Sequence, residues 1–411
     1  MMISELTRLR LAMTNVIRDR SRSLVCILTI ASGIFSLCLF EGFNSGALWT
    51  YQERVVHTRL GHFQIEKAVA DDILSTDAEA RQMDNVEEVS DLFKGDSRVA
   101  GVYPRLKLSA LIINDRATLP IMAEGVQADL ENDFFNELEY VAGRPLSGAE
   151  DEILVGVGVA AALGLTPGTK VTLMGNTVRG SLNALDLEVV GTFSGGVKEF
   201  DESFVRIPLK TAQKLMDFDG VGTLTVGLKD SSDLGTVLAD YVPRVAQMGS
   251  LKITDFRDLD KVYYGNSVNW LKAQFFFIRL IILLIVVFGI LNTVNISIFE
   301  RTAEIGTYRA MGFSKSFVRG QIMREYILMG LFGASLGILL SLGVAQLSLA
   351  QGVPMPPSPG ATRGLDVALR METWMLVMNL FLGILCAIVA TAWPARRAVR
   401  ISIVEALGHR I

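Results

Sequence analysis

The sequence predicts an α-helical membrane protein with four transmembrane helices and a large external α+β domain of two subdomains, inserted between helices one and two. Half of the residues are hydrophobic and only 20% are charged. The mean hydropathy is +0.38, and this balance argues against a soluble protein. The excess comes from four apolar runs, each long enough to cross a ~30 Å hydrocarbon core as a helix. They cover residues 24–40, 280–298, 326–349 and 374–393.

The first apolar run is expected to stay in the protein as a helix and not to be removed as a secretory signal. Its basic lead-in is long, its apolar part exceeds the usual length of about 7–15 residues, and no clear A-x-A cleavage site follows. Residues 1–22 are interpreted as a helix on the membrane surface, where Arg8 and Arg18 reach headgroups. A plain basic flank that only sets orientation is the alternative. The apolar residues at helical spacing are Leu6, Leu9, Met13, Val16 and Ile17.

The placement of basic residues predicts the orientation of the helices. They concentrate in the lead-in to the first run, in the loop between runs two and three, and in the tail. In a four-helix topology these three segments lie on one side, which the positive-inside rule assigns to the cytoplasm. Both termini are then cytoplasmic, and residues 41–268 lie outside. The basic residues include Arg10, Arg20, Arg22, Arg309, Lys315, Arg319, Arg324, Arg396, Arg397 and Arg400.

The external segment is acidic and contains no cysteine. Clustered cations are needed to bind nucleic acid, so a nucleic-acid partner is not expected. The three cysteines, Cys26, Cys38 and Cys386, all lie in apolar runs. The external domain therefore has no disulfide framework or cysteine-based metal site, and it must fold on its own hydrophobic core.

Strand and helix patterns interleave in the external segment without a regular period, which predicts an α+β domain. Short branched or alternating stretches predict strands at 62–65, 106–113, 119–123, 153–155, 170–173, 187–190 and 223–228. Helices are predicted at 84–93, 157–163 and 208–216, with Pro208 well suited to a helix start. Residues 129–230 are interpreted as a subdomain inserted in the other. In the last external loop, the prolines of 354–360 predict a stiff, extended cap.

No candidate for catalysis or cofactor binding survives inspection of the external segment. Gly156 and Gly158 resemble part of a dinucleotide fingerprint, but the following helix is too short and no βαβ unit surrounds them, so a structural turn is favoured. His57, His62 and His409 lack a further ligand and are expected to have roles other than metal binding. The sequence has no G-x-S-x-G, H-E-x-x-H or G-x-x-x-x-G-K-[ST] motif, and so it predicts a subunit that is not an enzyme and has no ATP-binding loop.

The apolar runs predict helices that associate with one another and do not conduct ions. Arg279 lies at the outer end of run two, where it can reach the interface. No Asp, Glu or His is expected at mid-membrane, where an ion-coupled carrier would need one. Three asparagines, Asn292, Asn295 and Asn379, can bond neighbouring helices. A face of small residues suited to close helix packing is formed by Gly330, Gly333, Ala334 and Gly337.

The charged segment 300–312, between runs two and three, is interpreted as a short cytoplasmic helix. Its charged residues are expected to be exposed, namely Glu300, Arg301, Glu304 and Arg309. Its apolar residues, Ile305, Ala310 and Met311, are available for packing. Gly306 and Gly312 allow close approach and a chain turn. A solvated loop that merely obeys the positive-inside rule is the alternative.

Three groups of residues together resemble the MacB/FtsX/LolC superfamily of ABC transporter permeases. The first is Glu300-Arg-x-x-Glu304-Ile-Gly306-x-x-Arg309-Ala-Met-Gly312, followed by Glu325. The second is the tail, Pro394-Ala-Arg-Arg397-Ala-x-Arg400 with Val404-Glu-Ala-Leu407, although Ile403 stands where the family usually has proline. The third is external: Gly143-Arg-Pro-Leu146, Glu152-Ile-Leu-Val155, Leu163-Gly-Leu-x-x-Gly168 and Val205-x-Ile-Pro-Leu209.

The resemblance implies a permease subunit of the bacterial inner membrane, with a periplasmic α+β domain and both termini in the cytoplasm. It would work with a second permease copy or a paralogue on a dimer of separate ATPase subunits, which would bind the ATP and Mg. Membrane lipid and a periplasmic carrier or adaptor are further expected partners. The segment that docks on the ATPase, the coupling helix, would comprise Glu300, Arg301, Glu304, Ile305, Gly306, Arg309, Ala310, Met311 and Gly312.

Two functions follow from the resemblance. The first is ATP-driven movement of the periplasmic domain (mechanotransmission) that extracts or exports a lipoprotein, lipid or amphipathic substrate. The alternative is a signalling scaffold like the cell-division permease, which activates a cell-wall hydrolase and tends to have a much smaller external domain. The expected boundaries are an interfacial helix at 1–22, transmembrane helices at 23–45, 269–298, 317–350 and 372–393, the periplasmic domain at 46–268, the coupling helix at 299–316, a periplasmic loop at 351–371 and a tail at 394–411.

Overall fold

The computed structural model describes residues 5–68, 83, 85–115, 117–131, 133–259, 266–357, 362 and 364–408. Its chain forms two compact units. The helical unit comprises Met1–Trp49, Val268–Pro354 and Asp366–Ile411, and the sheet unit comprises Thr50–Ser267 and Met355–Leu365. The predictions for His409 and for positions 358–360 of the proline-rich loop concern residues outside these ranges.

The helices are α1 (Glu5–Arg18), α2 (Arg20–Val55), α3 (Val86–Asp91), α4 (Ala128–Glu131), α5 (Val157–Leu163), α6 (Lys198–Ser203), α7 (Leu209–Met216), α8 (Leu234–Gln247), α9 (Phe256–Leu259), α10 (Asn266–Glu300), α11 (Thr302–Ala310), α12 (Lys315–Gln351), α13 (Thr373–Ala398) and α14 (Ile403–Gly408). The strands are β1 (Phe63–Lys67), β2 (Val99–Ile113), β3 (Thr118–Val126), β4 (Glu139–Gly143), β5 (Glu152–Gly156), β6 (Lys170–Asn176), β7 (Leu182–Ser194), β8 (Phe204–Pro208), β9 (Thr223–Leu228), β10 (Leu251–Asp255), β11 (Val353–Met355) and β12 (Leu365–Val367).

Four helices of the described chain are long and apolar enough to cross a membrane, at Ser23–Leu60, Leu271–Glu300, Lys315–Leu349 and Thr373–Ala398. The last of these, α13, shows a lipid-facing stripe. Trp374 and Trp393 stand at its two ends, each 57% exposed, and they lie about 28 Å apart along the helix axis. Tryptophan prefers the two membrane interfaces, and this separation matches a hydrocarbon core of ~30 Å. Between them lie the exposed Val377, Met378, Phe381, Leu385 and Val389.

The small residues of α12 allow close packing against two different helices. A Cβ added at Gly333 would lie 2.7 Å from Ile30 Cβ, and one at Gly337 would lie 2.6 Å from the Ala31 carbonyl oxygen, both on α2. A Cβ at Gly330 would instead lie 2.8 Å from Ala387 Cβ on α13. The residues interpreted as one packing face therefore serve two neighbours: Gly333 and Gly337, four positions apart on one side of α12, face α2, and Gly330 faces α13.

The sheet unit contains one hydrogen-bonded set of strands in the order β10-β1-β9-β2-β3-β8-β5-β7-β4, with β6 paired to β2 and β7. Most pairs are antiparallel, but β3 pairs with β8 and β5 with β7 in parallel. Strand β2 is long enough to join two groups: Val99–Arg105 pairs with β9, and Leu106–Ile113 pairs with β3. Because β2 belongs to both groups, the division into two subdomains stays a prediction.

The helix predictions for the sheet unit agree with the structure at α5 and α7, and Pro208 is the N-cap of α7. The prediction for 84–93 is longer than α3. The predicted strand at 106–113 covers only the second half of β2, because Gly101 and Pro104 interrupt the alternating pattern in its first half. The sequence patterns do not predict strands β4, β8 and β10 or helices α4, α6, α8 and α9. Helix α8 contains Pro243, which normally ends a helical pattern.

Candidate functional site

Helix α11 is a separate short helix between α10 and α12, and local signals define its ends. The backbone of Arg301 leaves the helical region, with φ −98° and ψ 12°. After Ala310 the chain turns at Gly312, whose φ of +87° favours glycine. Ser314 then caps α12 by accepting a hydrogen bond from the Phe317 amide at 3.2 Å. These breaks separate the nine residues of α11 from the long helices on either side.

The two faces of α11 differ in burial. Thr302, Ile305 and Gly306 are buried, while Glu304 and Ala310 are exposed. Met311, directly after the helix, is 62% exposed. Of the three apolar residues predicted to be available for packing, Ile305 is buried within the chain, whereas Ala310 and Met311 are exposed. Their apolar surface remains available to another molecule.

A cluster of four charged side chains, the α11 ion cluster, joins α11 to α1 and α12. It consists of Arg18, Arg301, Glu304 and Glu325. Arg301 Nη1 lies 2.6 Å from Glu325 Oε2, and Arg301 Nε lies 2.9 Å from Glu304 Oε2. Arg18 Nη2 lies 3.0 Å from Glu304 Oε1. The buried Asn15 of α1 donates to Glu325 Oε1 at 2.6 Å, so that both carboxylate oxygens of Glu325 are bound.

Burial within this cluster is graded. The side chains of Glu325 and Arg301 are 2% and 14% exposed, whereas those of Glu304 and Arg18 are 44% and 55% exposed. Burial alone lowers the pKa of Arg301, but Glu325 and Glu304 outweigh it and raise the pKa above its usual value. The expectation that Arg301 is exposed is wrong, because its guanidinium is needed to neutralise the buried Glu325.

The N-terminal helix α1 packs one face within the helical unit. Its buried positions are Ala12, Asn15 and Val16, while Met13 and Ile17 of the predicted apolar stripe are 46% and 58% exposed. Arg18, expected at lipid headgroups, is paired with Glu304. Because the Asn15 amide donates to the buried Glu325 carboxylate, the side of α1 that carries Asn15 is buried. Part of the apolar stripe of α1 is therefore exposed.

The C-terminal helix α14 packs against α11 and has a complete N-terminal cap. Ser402 Oγ accepts from the Glu405 amide at 3.2 Å, and the Glu405 carboxylate accepts from the Ser402 amide at 3.3 Å. This reciprocal pair is a capping box. Ile403, at the first helical position where the family usually has proline, therefore does not prevent the turn. Arg309 of α11 donates to the Val399 carbonyl at 3.5 Å.

A second polar contact lies in the helical unit, about 30 Å along α2 from its start at Arg20. Arg279 Nε lies 3.0 Å from Glu41 Oε1, and Asn379 Nδ2 donates to Glu41 Oε2 at 2.8 Å. Arg279, expected to reach the interface, is therefore paired with a carboxylate that the sequence reasoning did not consider. Of the three asparagines, Asn379 bonds a neighbouring helix as expected, and Asn292 is exposed.

The sheet unit contains a second cluster of two arginines and two glutamates, the sheet ion cluster. Its members are Arg105, Glu124, Glu131 and Arg206, with side chains 0–5% exposed. Arg105 Nε and Nη2 donate to the two Glu131 oxygens at 2.7 and 2.8 Å. Glu124 lies 3.3 Å from Arg105 and 3.5 Å from Arg206. Burial would raise the pKa of Glu124, but the two arginines lower it to about 2.

The described histidines have structural contacts. His62 Nδ1 accepts from the Leu228 amide at 3.0 Å, and its Nε2 lies 2.8 Å from Ser231 Oγ. Burial lowers the pKa of His62 to about 4, so the ring is neutral. His57 Nδ1 lies 2.9 Å from the Phe134 carbonyl oxygen. Within the described ranges, no group of three or more His, Cys, Asp or Glu side chains could hold a metal ion.

The glycines at 156 and 158 form a packed turn between β5 and α5. A Cβ at Gly156 would lie 2.4 Å from the Asp201 carbonyl oxygen, and one at Gly158 would lie 2.6 Å from Glu202 Cγ. The space that a dinucleotide would need beside these glycines is occupied by α6. The interpretation as a structural turn is confirmed.

Sequence reasoning located α11 and Glu325 but missed Asn15, Arg18, Glu41 and the sheet ion cluster as contact sites. Three of these residues are polar positions inside or beside apolar helices, and that is the one signal that could have identified them. The paired residues of the sheet ion cluster are up to 82 positions apart, from Glu124 to Arg206. Such pairing is set by strand order, which a single sequence does not reveal.

Comparison with known proteins identifies two regions of the chain. Residues 23–241 match the "MacB-like periplasmic core domain" and residues 276–403 match the "FtsX-like permease C-terminal" family. The lipoprotein-releasing system transmembrane protein LolC of Neisseria meningitidis is 26% identical over 344 residues, which are 76% of this chain and 78% of that protein. The macrolide export ATP-binding/permease protein MacB of Agrobacterium fabrum is 25% identical over 98% of this chain and 60% of its own length.

Two further proteins are each similar to about half of this chain. The ABC transporter permease YtrF of Bacillus subtilis is 30% identical over 52% of this chain and 53% of its own length. The crystal structure of the periplasmic region of MacB from Actinobacillus actinomycetemcomitans aligns at 16% identity with a TM-score of 0.36, covering 49% of this chain and 91% of that one. On the two family matches and the similarity to LolC, YtrF and the MacB of Agrobacterium fabrum, the chain belongs to the MacB/FtsX/LolC type of ABC transporter permease, a multi-pass protein of the bacterial inner membrane.

Proposed function

We propose that this permease couples ATP hydrolysis by its cytoplasmic ATPase partner to movement of its periplasmic domain. The relatives are components of ABC transporters, which implies such an ATPase. The observation that carries the proposal is the division of α11 into an anchored face and an exposed face. A short helix that is anchored by buried contacts on one side and exposed on the other can transmit a displacement without unfolding.

The residues proposed for coupling divide into two groups. Arg301, Ile305, Gly306 and Arg309 hold α11 to α12 and to the tail through buried or half-buried contacts. The group that would contact the ATPase is exposed and comprises Glu300, Glu304, Ala310, Met311 and Gly312. Helix α2 is uninterrupted from Arg20 to Val55, so its residues belong to both units.

The proposed substrate is a lipoprotein, a lipid or another amphipathic molecule taken from the periplasmic side of the membrane. The similarity to LolC, whose name denotes lipoprotein release, extends over three quarters of this chain. A second copy of the permease or a paralogue would complete the transporter, and a periplasmic carrier or adaptor would receive the substrate. The cytoplasmic position of both termini is part of this proposal.

Charge reversal on the exposed face of α11 tests the docking assignment. Glu304 is unsuitable for a clean test, because it also pairs with Arg18 and Arg301. The variant is Glu300→Lys combined with Ala310→Arg, reconstituted with the ATPase in nanodiscs. We expect unchanged membrane insertion and thermal stability, but at least about a tenfold loss of complex formation and of substrate-stimulated ATPase activity.

Asp366→Lys provides a matched control, since it reverses an exposed charge in the segment before α13. It should leave both readouts unchanged. If the α11 variant forms the complex and hydrolyses ATP at the wild-type level, α11 is not the docking site.

A substrate assay separates transport from signalling. Proteoliposomes that contain a fluorescent triacylated lipopeptide should release it on the side of the periplasmic domain when ATP is supplied on the opposite side, where the ATPase lies. If ATP turnover is normal, no release occurs, and a periplasmic cell-wall hydrolase becomes active instead, the signalling alternative replaces transport.

A further inference from the structure

A cavity of about 340 Å³ lies in the helical unit between α1, the end of α10, α11 and the start of α12. Its walls are mostly apolar. Tyr308, Phe313 and Phe317 form one side, with Phe313 stacked on Phe317 at a centroid distance of 4.8 Å. Leu11 and Ile322 contribute to the rest. Binding sites for small molecules typically enclose about 300–1,000 Å³ and combine apolar walls with a few polar groups, and this cavity meets both conditions.

The charged groups at the cavity already have protein partners. Glu325 is bound by Arg301 and Asn15, and Glu304 by Arg301 and Arg18. A charged ligand would therefore have to lose its hydration without gaining a counter-ion, which is costly in an apolar site.

Gln321 is the exception among the polar groups that line the cavity. Both its Nε2 and its Oε1 are buried, and neither has a hydrogen-bond partner in the part of the chain that the structure describes. Buried amides are almost always hydrogen-bonded, because leaving them unpaired destabilises the fold. The side chain offers donors and an acceptor in the same place. A group that combines a donor with an acceptor, such as an amide or a hydroxyl, would satisfy it.

We propose that this cavity binds a neutral amphipathic molecule, one alkyl chain that carries an uncharged amide or hydroxyl group. The chain occupies the space between the aromatic wall and Ile322, and the polar group bonds the amide of Gln321. A purely apolar occupant would leave Gln321 unpaired, and a charged one would lack a counter-ion. The amide of Gln321 is not among the groups proposed for ATPase docking, although Glu304 and Met311 of that docking group also line the cavity.

Photolabelling tests the site directly. The full-length protein, in phosphatidylcholine nanodiscs, is irradiated with dodecanamide that carries a diazirine in its chain, and the labelled peptides are identified by mass spectrometry. We expect labels on α1, α11 and the first turns of α12. Unlabelled dodecanol should compete, while the permanently charged dodecyltrimethylammonium should not.

Two variants and one control make the test decisive. Gln321→Leu keeps the size of the side chain but removes the amide, and it should lower cavity labelling about fivefold, the value of one hydrogen bond. Val318→Phe fills the cavity and should lower labelling further. Phe381→Leu, on the lipid-facing stripe of α13, should leave cavity labelling unchanged. Labels confined to α13, or equal labelling of the wild type and Gln321→Leu, would overturn the proposal.

A separate measurement, of what remains bound to the purified protein, identifies the source of the natural ligand. If it is a membrane lipid, a neutral amphipath should remain with the purified wild-type protein through detergent exchange and be absent from Gln321→Leu. If only the added probe binds, the ligand reaches the site from solution. Both results support the site.

Discussion

The two ion clusters have the same composition, two arginines and two glutamates, yet they differ in burial. In the sheet ion cluster every side chain is at most 5% exposed. In the α11 ion cluster, exposure rises from 2% at Glu325 to 55% at Arg18. Fully enclosed charges hold one arrangement of the strands, because separating them would leave a charge without water or a partner. A graded cluster anchors a helix at its buried end and leaves its other end open to a partner.

The clusters also differ in the elements that they join. The sheet ion cluster lies where β2 passes from one group of strands to the next, since Arg105 is the last residue paired with β9 and Leu106 the first paired with β3. The α11 ion cluster joins three separate helices. Its contacts can change in strength without unfolding the helices themselves, and this is the property that a coupling element requires.

The largest expected effect is that of Arg105→Met, which leaves Glu124 and Glu131 buried without their main partner. We expect the sheet unit to lose about 3–5 kcal/mol of stability, and its thermal transition to fall by about 10 °C. Differential scanning calorimetry of the full-length protein measures this shift. Lys94→Met, which removes an exposed pair with Asp91, is the control and should shift the transition by little. Equal shifts would show that the sheet ion cluster is not a stabilising element.

Acid should destabilise the sheet unit next most strongly. The pKa of Glu124 is about 2 in the folded state, below the ordinary value of 4.5 that applies to the unfolded chain. Because the folded value is the lower one, the stabilisation of ~3 kcal/mol is present above pH 4.5 and is lost as the pH falls towards 2. Unfolding followed from pH 7 to pH 2 checks this. The double variant Arg105→Met with Glu124→Met should show a weaker dependence on acid, and an identical profile would contradict the assignment.

Glu325→Leu should have an intermediate effect on the α11 ion cluster. Arg301 retains Glu304 but loses its buried partner, and Asn15 loses its acceptor, so we expect a cost of about 2–3 kcal/mol in anchoring α11. The readout is protease sensitivity at 300–312, which should rise, together with a lower stimulated ATPase rate. Glu325→Gln keeps the shape of the side chain and an oxygen that can accept from Asn15. Its protease sensitivity and ATPase rate should lie between those of the wild type and Glu325→Leu. If Glu325→Leu changes neither readout, the buried end does not anchor α11.

The smallest effect is expected for Arg18→Ala. The Arg18–Glu304 pair is about half exposed, and exposed pairs contribute about 0–1 kcal/mol. Thermal stability should stay within about 2 °C of the wild type, and any change should disappear at high salt. A loss as large as that of Glu325→Leu would remove the distinction between the buried and exposed ends of the cluster.

Sequence patterns predicted the features that depend on local chemistry. Four apolar runs, the charged segment 300–312 and the short helices α5 and α7 could be recognised because length, periodicity and capping are properties of neighbouring residues. The chain turn predicted at Gly312 is also a local feature, since the positive φ of this glycine lies in the turn after α11. The motif residues carried the family resemblance in the same way.

The tertiary structure decided which distant residues meet. The pairing of Arg301 with Glu325 and of Glu41 with Arg279, and the inward turn of Asn15, depend on how helices pack, and each requires a neighbour that the local sequence does not specify. Burial, and with it the difference between the two ion clusters, also arises only on folding. The sequence by itself determined that charged side chains stand near apolar segments. The fold determined which of them are shielded from water and which remain free to contact a partner.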